Sequence, residues 1–245
     1  MTARLAHELS ENGLVPDRLI RHGIKRLLRQ RLIDVNADDL EVVTRNQSEL
    51  IRHMRQARIA ELPHRANEQH YEVPAAFYRQ VLGHQLKYSC GYWPDGVESL
   101  DQAEDAALAA TARHAGLEDG MRILELGCGW GSLTLWMARH FPSSQITAVS
   151  NSRSQGRFIL GQAAKAGLTN VRVQTADMNH FDADDEFDRI VSVEMFEHMR
   201  NWPVLFRQMS RWLHPDGAFF MNVFAHRSTP YLFEDRNAGD WMSRH

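Results

Sequence analysis

Residues 123–132 read ILELGCGWGS, and this stretch decides the fold. The apolar run Arg122–Leu126 predicts a buried β-strand, and the amphipathic pattern from Ser132 to about His140 predicts a helix. The glycines between them allow a tight turn in which a ligand can approach the backbone. Free N–H groups and a partial positive charge at the start of the helix favour ligand binding there.

From Ser99 onward, the chain around this stretch alternates between helices and short apolar strands. Further strands are predicted at Gln145–Val149, Val171–Thr175, Arg189–Val193 and Ala218–Val223. Capping boxes open two helices, one with Ser99 and Gln102 and one with Ser152 and Gln155, and another helix spans about Trp202–Leu213. These repeats predict an α/β fold with a doubly wound, mostly parallel sheet. Such sheets bind ligands beyond the carboxyl ends of their strands.

The remainder of the chain predicts two further regions beside the α/β domain, which is assigned to residues 99–245. Residues 1–70 form a helical region, with a second amphipathic helix from about Ser48 to Leu62 that ends at Pro63. The basic helix within residues 18–32 can contact an anionic membrane or pack on the main domain with a solvated arginine face. Residues 71–98 are rich in aromatic side chains, which either cover a ligand as a lid or pack the regions together.

Composition excludes several classes of protein. The 245 residues carry a formal net charge of −3, which gives no general attraction to nucleic acid. The spacing of Cys90 and Cys128 suggests neither a zinc site nor a disulfide framework, so no metal is predicted and a cytoplasmic location is expected. No apolar run approaches the roughly 20 residues that span a bilayer, and no signal peptide is recognised.

The glycine turn favours one nucleotide cofactor over others. Its G-x-G-x-G spacing differs from the dinucleotide pattern, and the second strand ends in Ser150 and Asn151 rather than in a ribose-binding acid. Glu125 would repel a pyrophosphate but attract a cation, as in S-adenosylmethionine, which carries a sulfonium and an ammonium group. Asp177 follows the third strand, where it either binds adenine or caps a turn. A purely structural turn remains the alternative for the glycines.

The E-x-G-x-G-x-G arrangement resembles motif I of class I methyltransferases. Together with HYEVPAAFY, LKYSCGYW, SNSRSQ and VSVEMFEHM, it resembles the cyclopropane fatty acid synthase superfamily from about Leu19 to the last residue. LGHQLKYSC, EMFEHM and FEDRNAGDWMSR are most similar to its coclaurine N-methyltransferase branch. The resemblance implies a Rossmann-like fold whose family continues beyond His245, so we expect a truncated chain that lacks the C-terminal strands. It also implies S-adenosylmethionine as the cofactor, bound by Tyr88, Ser89, Glu125, Gly127, Gly129, Gly131, Ser150, Gln155, Asp177 and Met178.

EMFEHM follows the fourth strand and supplies the predicted catalytic residues Glu194, Glu197 and His198. They stand at i, i+3 and i+4, on one face if the segment is helical. Methyl transfer to an amine needs a free lone pair, so a base must take the ammonium proton; a histidine suits that role and a carboxylate can orient it. A helix cap with a surface salt bridge is the alternative.

Two functions follow from the resemblance. The first is methyl transfer to the nitrogen of a hydrophobic or aromatic amine; the alternative is a cyclopropane-fatty-acyl-phospholipid synthase or another lipid alkene methyltransferase. The lipid enzymes hold a bicarbonate with a Cys, a Glu and a His; Cys90 and Glu197 match, but Asn222 replaces the His and Glu194 replaces a Gly. The His is usual in the amine branch as well, where His226 matches a Cys-His motif. A carboxylate at position 194 repels bicarbonate, so we expect the amine to be the acceptor.

A third function, binding the cofactor without turnover, is open. Methylation of nucleic-acid bases is disfavoured, because the fourth strand ends in Glu-Met-Phe-Glu instead of the Pro-Pro-aromatic motif of those enzymes. The oligomeric state cannot be inferred from the sequence.

Overall fold

The computed structural model describes residues 8–35, 39–61 and 74–226. It divides into two compact units, of which the larger runs from Met54 to Phe224 and the other contains the described residues before and after it. The HYEV part of the first motif, at 70–73, and the motif at 233–244 lie outside the described residues. The predicted boundaries between the helical region, the aromatic segment and the α/β domain, at residues 70 and 98, stay predictions.

The elements of the larger unit alternate as the sequence predicts. Helices in the described part of the chain include α1 (Asp17–Val35), α2 (Leu40–Gln56), α3 (Ala75–Val81), α4 (Leu100–His114), α5 (Ser132–His140), α6 (Arg153–Lys165) and α7 (Trp202–Trp212). The strands are β1 (Arg122–Leu126), β2 (Gln145–Ser150), β3 (Val171–Thr175), β4 (Phe187–Val193) and β5 (Leu213–Asn222). Ser99 and Gln102 form the predicted capping box on α4.

All five strands are parallel, in the order β3-β2-β1-β4-β5. The order reverses between β1 and β4, which is the position where doubly wound sheets bind their ligands. The predicted parallel fold is confirmed.

The sheet has an apolar core on each face because neighbouring residues of a strand point to opposite sides. Leu124 belongs to a cluster with α7 residues, while Ile123 belongs to a second cluster with residues of α4 and α5. Both side chains are fully buried. This packing fixes the carboxyl ends of β1 and β4 as a rigid base for the site.

Helix α2 differs from its prediction at both ends. It begins before Ser48, at Leu40, because Asp39 Oδ1 accepts hydrogen bonds from the backbone of the first turn, 3.1 Å from both Glu41 N and Val42 N. It ends at Gln56, before Leu62, because backbone carbonyls of the following residues accept hydrogen bonds from a distant part of the chain. Asn201 Nδ2 donates to the carbonyl of Ala57 at 2.8 Å, and Arg200 N donates to that of Ile59 at 2.6 Å.

The segment EMFEHM is not an α-helix. Glu194 has φ +51°, and only Phe196–His198 turns, as a single 3-10 helix. The condition under which Glu194, Glu197 and His198 would share one face of an α-helix is therefore not met. Strand β5 also begins before Ala218, with a pair between Leu213 and Phe187 and a shift in register before Ala218.

Within the described residues, no helix is both long enough and apolar enough to cross a membrane.

Candidate active site

The predicted site residues of the α/β region gather at the carboxyl edge of the sheet. The glycine turn follows β1, Ser150 ends β2, Asp177 follows β3 and Glu194 follows β4. His226 belongs to the other compact unit.

The glycine turn is held against the end of β2, where the N–H groups of Gly127 and Cys128 donate to the carbonyl of Val149 at 3.0 and 3.1 Å. All three glycines have positive φ: +82° at Gly127, +52° at Gly129 and +82° at Gly131. A Cβ on Gly127 would lie 2.7 Å from the Met195 side chain, and a Cβ on Gly131 would lie 2.6 Å from the Ile159 side chain.

Gly129 differs from the glycines on either side of it. No described atom lies within 4 Å of the position that its Cβ would take. Packing therefore does not explain this glycine, and the space beside its backbone is open to a ligand.

Glu125 is a buried carboxyl group next to the turn. Its Oε2 accepts a hydrogen bond of 2.5 Å from Thr134 in α5. Burial raises the pKa of Glu125 to about 7, and the Thr134 hydrogen bond only partly opposes that rise. A cation bound nearby would lower the pKa again, so the charge of Glu125 responds to a ligand at this end of β1.

A hydrogen-bonded group of polar side chains follows β2. Ser150 Oγ donates to Gln155 Oε1 at 2.7 Å, and Ser152 N donates to Ser150 Oγ at 3.0 Å. Gln155 is buried, yet its Nε2 has no hydrogen-bond partner among the described residues. An unpartnered buried donor is costly, so this amide is suited to a ligand with an acceptor oxygen.

Asp177 is fixed by a residue that the sequence analysis missed. Asn179 donates to Asp177 Oδ1 from its backbone N at 2.9 Å and from its side-chain Nδ2 at 3.0 Å. The Asn179 amide also pairs with the backbone of Ala60, through bonds of 3.0 and 2.8 Å. Met178 is buried in the apolar core. The DMN sequence, an Asp followed two residues later by an Asn, is the only local sign of this arrangement.

The aromatic segment has the packing role that the sequence left open for it. Tyr78 is buried and lies 5.4 Å from Trp130 of the glycine turn, ring centre to ring centre, so it packs the regions together. Tyr88 is half exposed and lies 5.1 Å from Tyr78. The covering role of Tyr88 and the other exposed rings stays a prediction.

The two glutamates after β4 occupy different environments. Glu194 Oε1 lies 3.3 Å from Cys90 Sγ and 3.4 Å from Cys90 N. Glu197 accepts a hydrogen bond from Phe224 N through Oε1, whereas its buried Oε2 has no partner among the described residues. Burial, and secondarily the charge of Glu194, raises the pKa of Glu197. His198 ends the 3-10 turn. Glu197 is therefore a half-buried carboxyl group whose pKa lies above its ordinary value because burial disfavours the charged form.

Comparison with known proteins identifies the family of this chain. Residues 60–245 match the family described as mycolic acid cyclopropane synthetase. The chain belongs to that family. The resemblance inferred from the motifs is thereby confirmed.

Members of the synthetase family with different acceptors are similar to this chain. An (S)-coclaurine N-methyltransferase of Thalictrum flavum subsp. glaucum is 37% identical over 235 residues, which cover 96% of this chain and 65% of that protein. The cyclopropane-fatty-acyl-phospholipid synthase of Escherichia coli (strain K12) is 30% identical over 180 residues, covering 73% of this chain and 44% of the synthase. This chain therefore spans just under two thirds of the N-methyltransferase and less than half of the lipid enzyme.

A solved member of the synthetase family has the same fold. It is a crystal structure of coclaurine N-methyltransferase bound to N-methylheliamine and SAH, with 34% identity and a TM-score of 0.92 over 99% of this chain and 70% of that chain. The class I methyltransferase architecture is thus established for this chain.

Proposed function

We propose that this protein is an S-adenosylmethionine-dependent methyltransferase that methylates the nitrogen of a hydrophobic or aromatic amine. The observation that carries the choice of acceptor is the contact between the Glu194 carboxylate and Cys90. A bound amine is cationic until it loses a proton, and a carboxylate in the site attracts it. The greater identity to N-methyltransferases than to the lipid enzyme supports the same acceptor.

The residues at the carboxyl edge suit S-adenosylmethionine. Gly129 leaves room beside the backbone, and Gln155 Nε2 supplies a buried donor that lacks a partner among the described residues. Asp177 supplies an acceptor held in place by Asn179, and Glu125 supplies a carboxyl group whose ionisation a cation favours. When bound, the cofactor supplies an electrophilic methyl group. Tyr88 and Ser89 are proposed to complete the site from the lid segment.

The site does not suit the bicarbonate that the lipid-modifying resemblance implies. The Cys90 backbone and thiol, which would contact that anion, lie against the Glu194 carboxylate. A second anion there would meet like charge.

In the proposed mechanism the chain provides binding and proton transfer. Glu194 holds the amine, and Glu197 or His198 takes its proton so that the nitrogen lone pair is free. Burial raises the pKa of Glu197, which makes its carboxylate a stronger proton acceptor than an exposed glutamate. The aromatic side chains exclude water from the acceptor.

The proposed function is tested with a labelled methyl group on S-adenosylmethionine. A benzylisoquinoline-type amine and vesicles of unsaturated phospholipid are offered together. Label is expected in the amine. Label in the lipid would reverse the choice of acceptor and make the exposed leucines and arginines of α1 a candidate membrane contact. Cofactor binding without label in either would favour the binding-only alternative.

Variants separate binding from chemistry. Glu197→Gln is expected to leave cofactor binding intact and to remove turnover, since the amide cannot accept the proton. Normal turnover by Glu197→Gln would exclude the proposed role.

Both cysteines are free, which accords with the reducing cytoplasm that we propose as the location of the protein.

A further inference from the structure

Lys87 is a buried lysine in the segment between α3 and α4. It is 6% exposed, whereas its neighbour Tyr88 is 53% exposed. Taking an ammonium group out of water is costly, so a lysine in this position needs partners for its charge and its hydrogens. The proposed mechanism gives Lys87 no role, although it immediately precedes the predicted cofactor residues of the lid.

The hydrogen bonds of Lys87 fold the following residues into a turn. Its Nζ donates to Ser89 Oγ and, at 2.9 Å, to the carbonyl of Cys90. Lys87 thus joins the side chain of Ser89 to the backbone of Cys90. Loss of the ammonium group would remove both of these hydrogen bonds from the turn.

Charged groups on two other elements surround Lys87. Glu104 of α4 is buried and accepts hydrogen bonds from Gly83 N at 2.9 Å and Gln85 N at 3.0 Å, which anchors the start of the segment. Glu194, after β4, contacts Cys90 at the other end. Burial lowers the pKa of Lys87, and the charges of Cys90, Glu194 and Glu104 act in the opposite direction. Glu194 also has a carboxylate neighbour, Glu197, whose pKa is raised by burial and, secondarily, by the charge of Glu194.

We propose that Lys87 is a positioning residue that holds the Tyr88–Cys90 turn and the Glu194 carboxylate in one arrangement, so that Glu194 can bind the acceptor amine. This inference rests on the proposed function where it assigns the amine to Glu194. A lysine that served the fold alone would act as a counter-ion to Glu104. Removal of its charge would then change stability and leave the Glu194 side of the site unaltered.

The first test uses the exposed thiol of Cys90 and needs no turnover. Alkylation of the full-length chain by iodoacetamide is followed against pH; Cys128 is buried and therefore protected in the folded protein. Lys87→Met is expected to raise the pKa of the Cys90 thiol by about one unit or more, because an opposite charge at close range has that effect on a thiolate. Glu194→Gln is expected to lower it. Lys165→Met, at the exposed end of α6, is the matched control and should behave as the native chain.

The second test measures steady-state methylation of the amine. Lys87→Met is expected to raise the KM for the amine about tenfold, which corresponds to a coupling within the range seen for contacting residues. Lys87→Arg should restore part of the loss because it keeps the charge. In a Glu194→Gln background the effect of Lys87→Met should largely disappear. Additive effects of the two substitutions would overturn the proposal.

The outcomes keep the two proposals apart. An unchanged thiol profile in Lys87→Met overturns the positioning role, whatever the acceptor is. A native chain that methylates no amine overturns the proposed function, while the thiol profile still decides the role of Lys87. Thermal unfolding of each variant checks that it is folded, and Lys87→Gln replaces Lys87→Met in both tests if the methionine variant does not fold.

Discussion

The three glycines of the cofactor turn are required for different reasons. Gly127 and Gly131 face the side chains of Met195 and Ile159, so a larger residue there collides with the protein itself. At Gly129 a side chain would instead enter open space among the described residues. The motif alone treats the three positions alike, and only the packing separates them.

This difference gives a matched pair of variants. Gly129→Ala is expected to weaken binding of S-adenosylhomocysteine at least about tenfold, because the methyl group occupies ligand space, while the positive φ costs only about 1–2 kcal/mol of stability. Gly131→Ala should cost more stability, since overpacking adds about 1–3 kcal/mol to the same backbone strain. Calorimetric titration and urea unfolding measure the two effects. Binding by Gly129→Ala with native affinity would contradict the assignment.

Glu125 predicts a dependence of stability on pH. Its folded-state pKa is about 7, above the ordinary value of 4.5, so the group contributes no penalty below pH 4.5, where both states are protonated. As the pH rises from 4.5 to 7 the unfolded chain loses the proton first, and the folded state loses up to about 3 kcal/mol of stability. Glu125→Gln should remove that loss. The measurement is the difference in unfolding free energy between the native chain and the variant from pH 4 to pH 8, and a constant difference would refute the shift.

At the scale of elements, the strands and most helices could be predicted from the sequence because their signals are local. Arg122–Leu126, Val171–Thr175 and the capping box of α4 are examples, since each depends on apolar runs or on residues three apart. The end of α2 could not be predicted, because the Asn201 side chain that donates a hydrogen bond to the Ala57 carbonyl is 144 residues away.

The candidate site also has a part that local sequence signals predict and a part that they do not. The motifs identified its residues, but its geometry depends on contacts between distant segments. The turn at Glu194 forms with Asn222 from β5, the Glu194–Cys90 contact joins residues 104 positions apart, and the Asn179–Ala60 pair joins residues 119 apart. Lys87 and Asn179 were missed for that reason.

The segment 57–60, which we call the strap, links α2 to the predicted adenine site. Asn179→Ala removes both the pairing with Ala60 and the side-chain bond to Asp177. We expect weaker binding of S-adenosylhomocysteine, by about five- to tenfold, because Asp177 loses part of its support. Calorimetric titration measures the change.

Asn170→Ala is the control for the strap variant. Asn170 is buried, and its Nδ2 also donates to backbone carbonyls, those of Ala138 and Phe141 at 3.3 and 3.1 Å, but it precedes β3 at the amino end of the sheet. It should lose a similar amount of stability and keep native affinity. Equal losses of affinity in both variants would show that Asn179 acts through stability alone.

At the scale of the whole molecule, cofactor binding and the proposed methyl transfer can be tested separately. Every predicted cofactor-binding residue lies within the compact unit Met54–Phe224, whereas the N-methyltransferase relative is longer than this chain. Binding therefore tests the fold and its carboxyl edge, and transfer tests the acceptor as well.

We expect S-adenosylhomocysteine to stabilise the full chain and ATP to leave it unchanged. At about 100 times its Kd, a ligand that binds only the folded state adds about 2.7 kcal/mol, which for a chain of this size raises Tm by roughly 5–10 °C. ATP carries the same adenosine, but its phosphates would meet the Glu125 carboxylate instead of a lysine-containing phosphate loop. Thermal unfolding with each ligand, repeated with Gly129→Ala, measures the difference. Stabilisation by ATP alone would replace the methyltransferase assignment with a nucleotide-binding one, whereas a shift with S-adenosylhomocysteine that Gly129→Ala abolishes would locate the cofactor at the glycine turn.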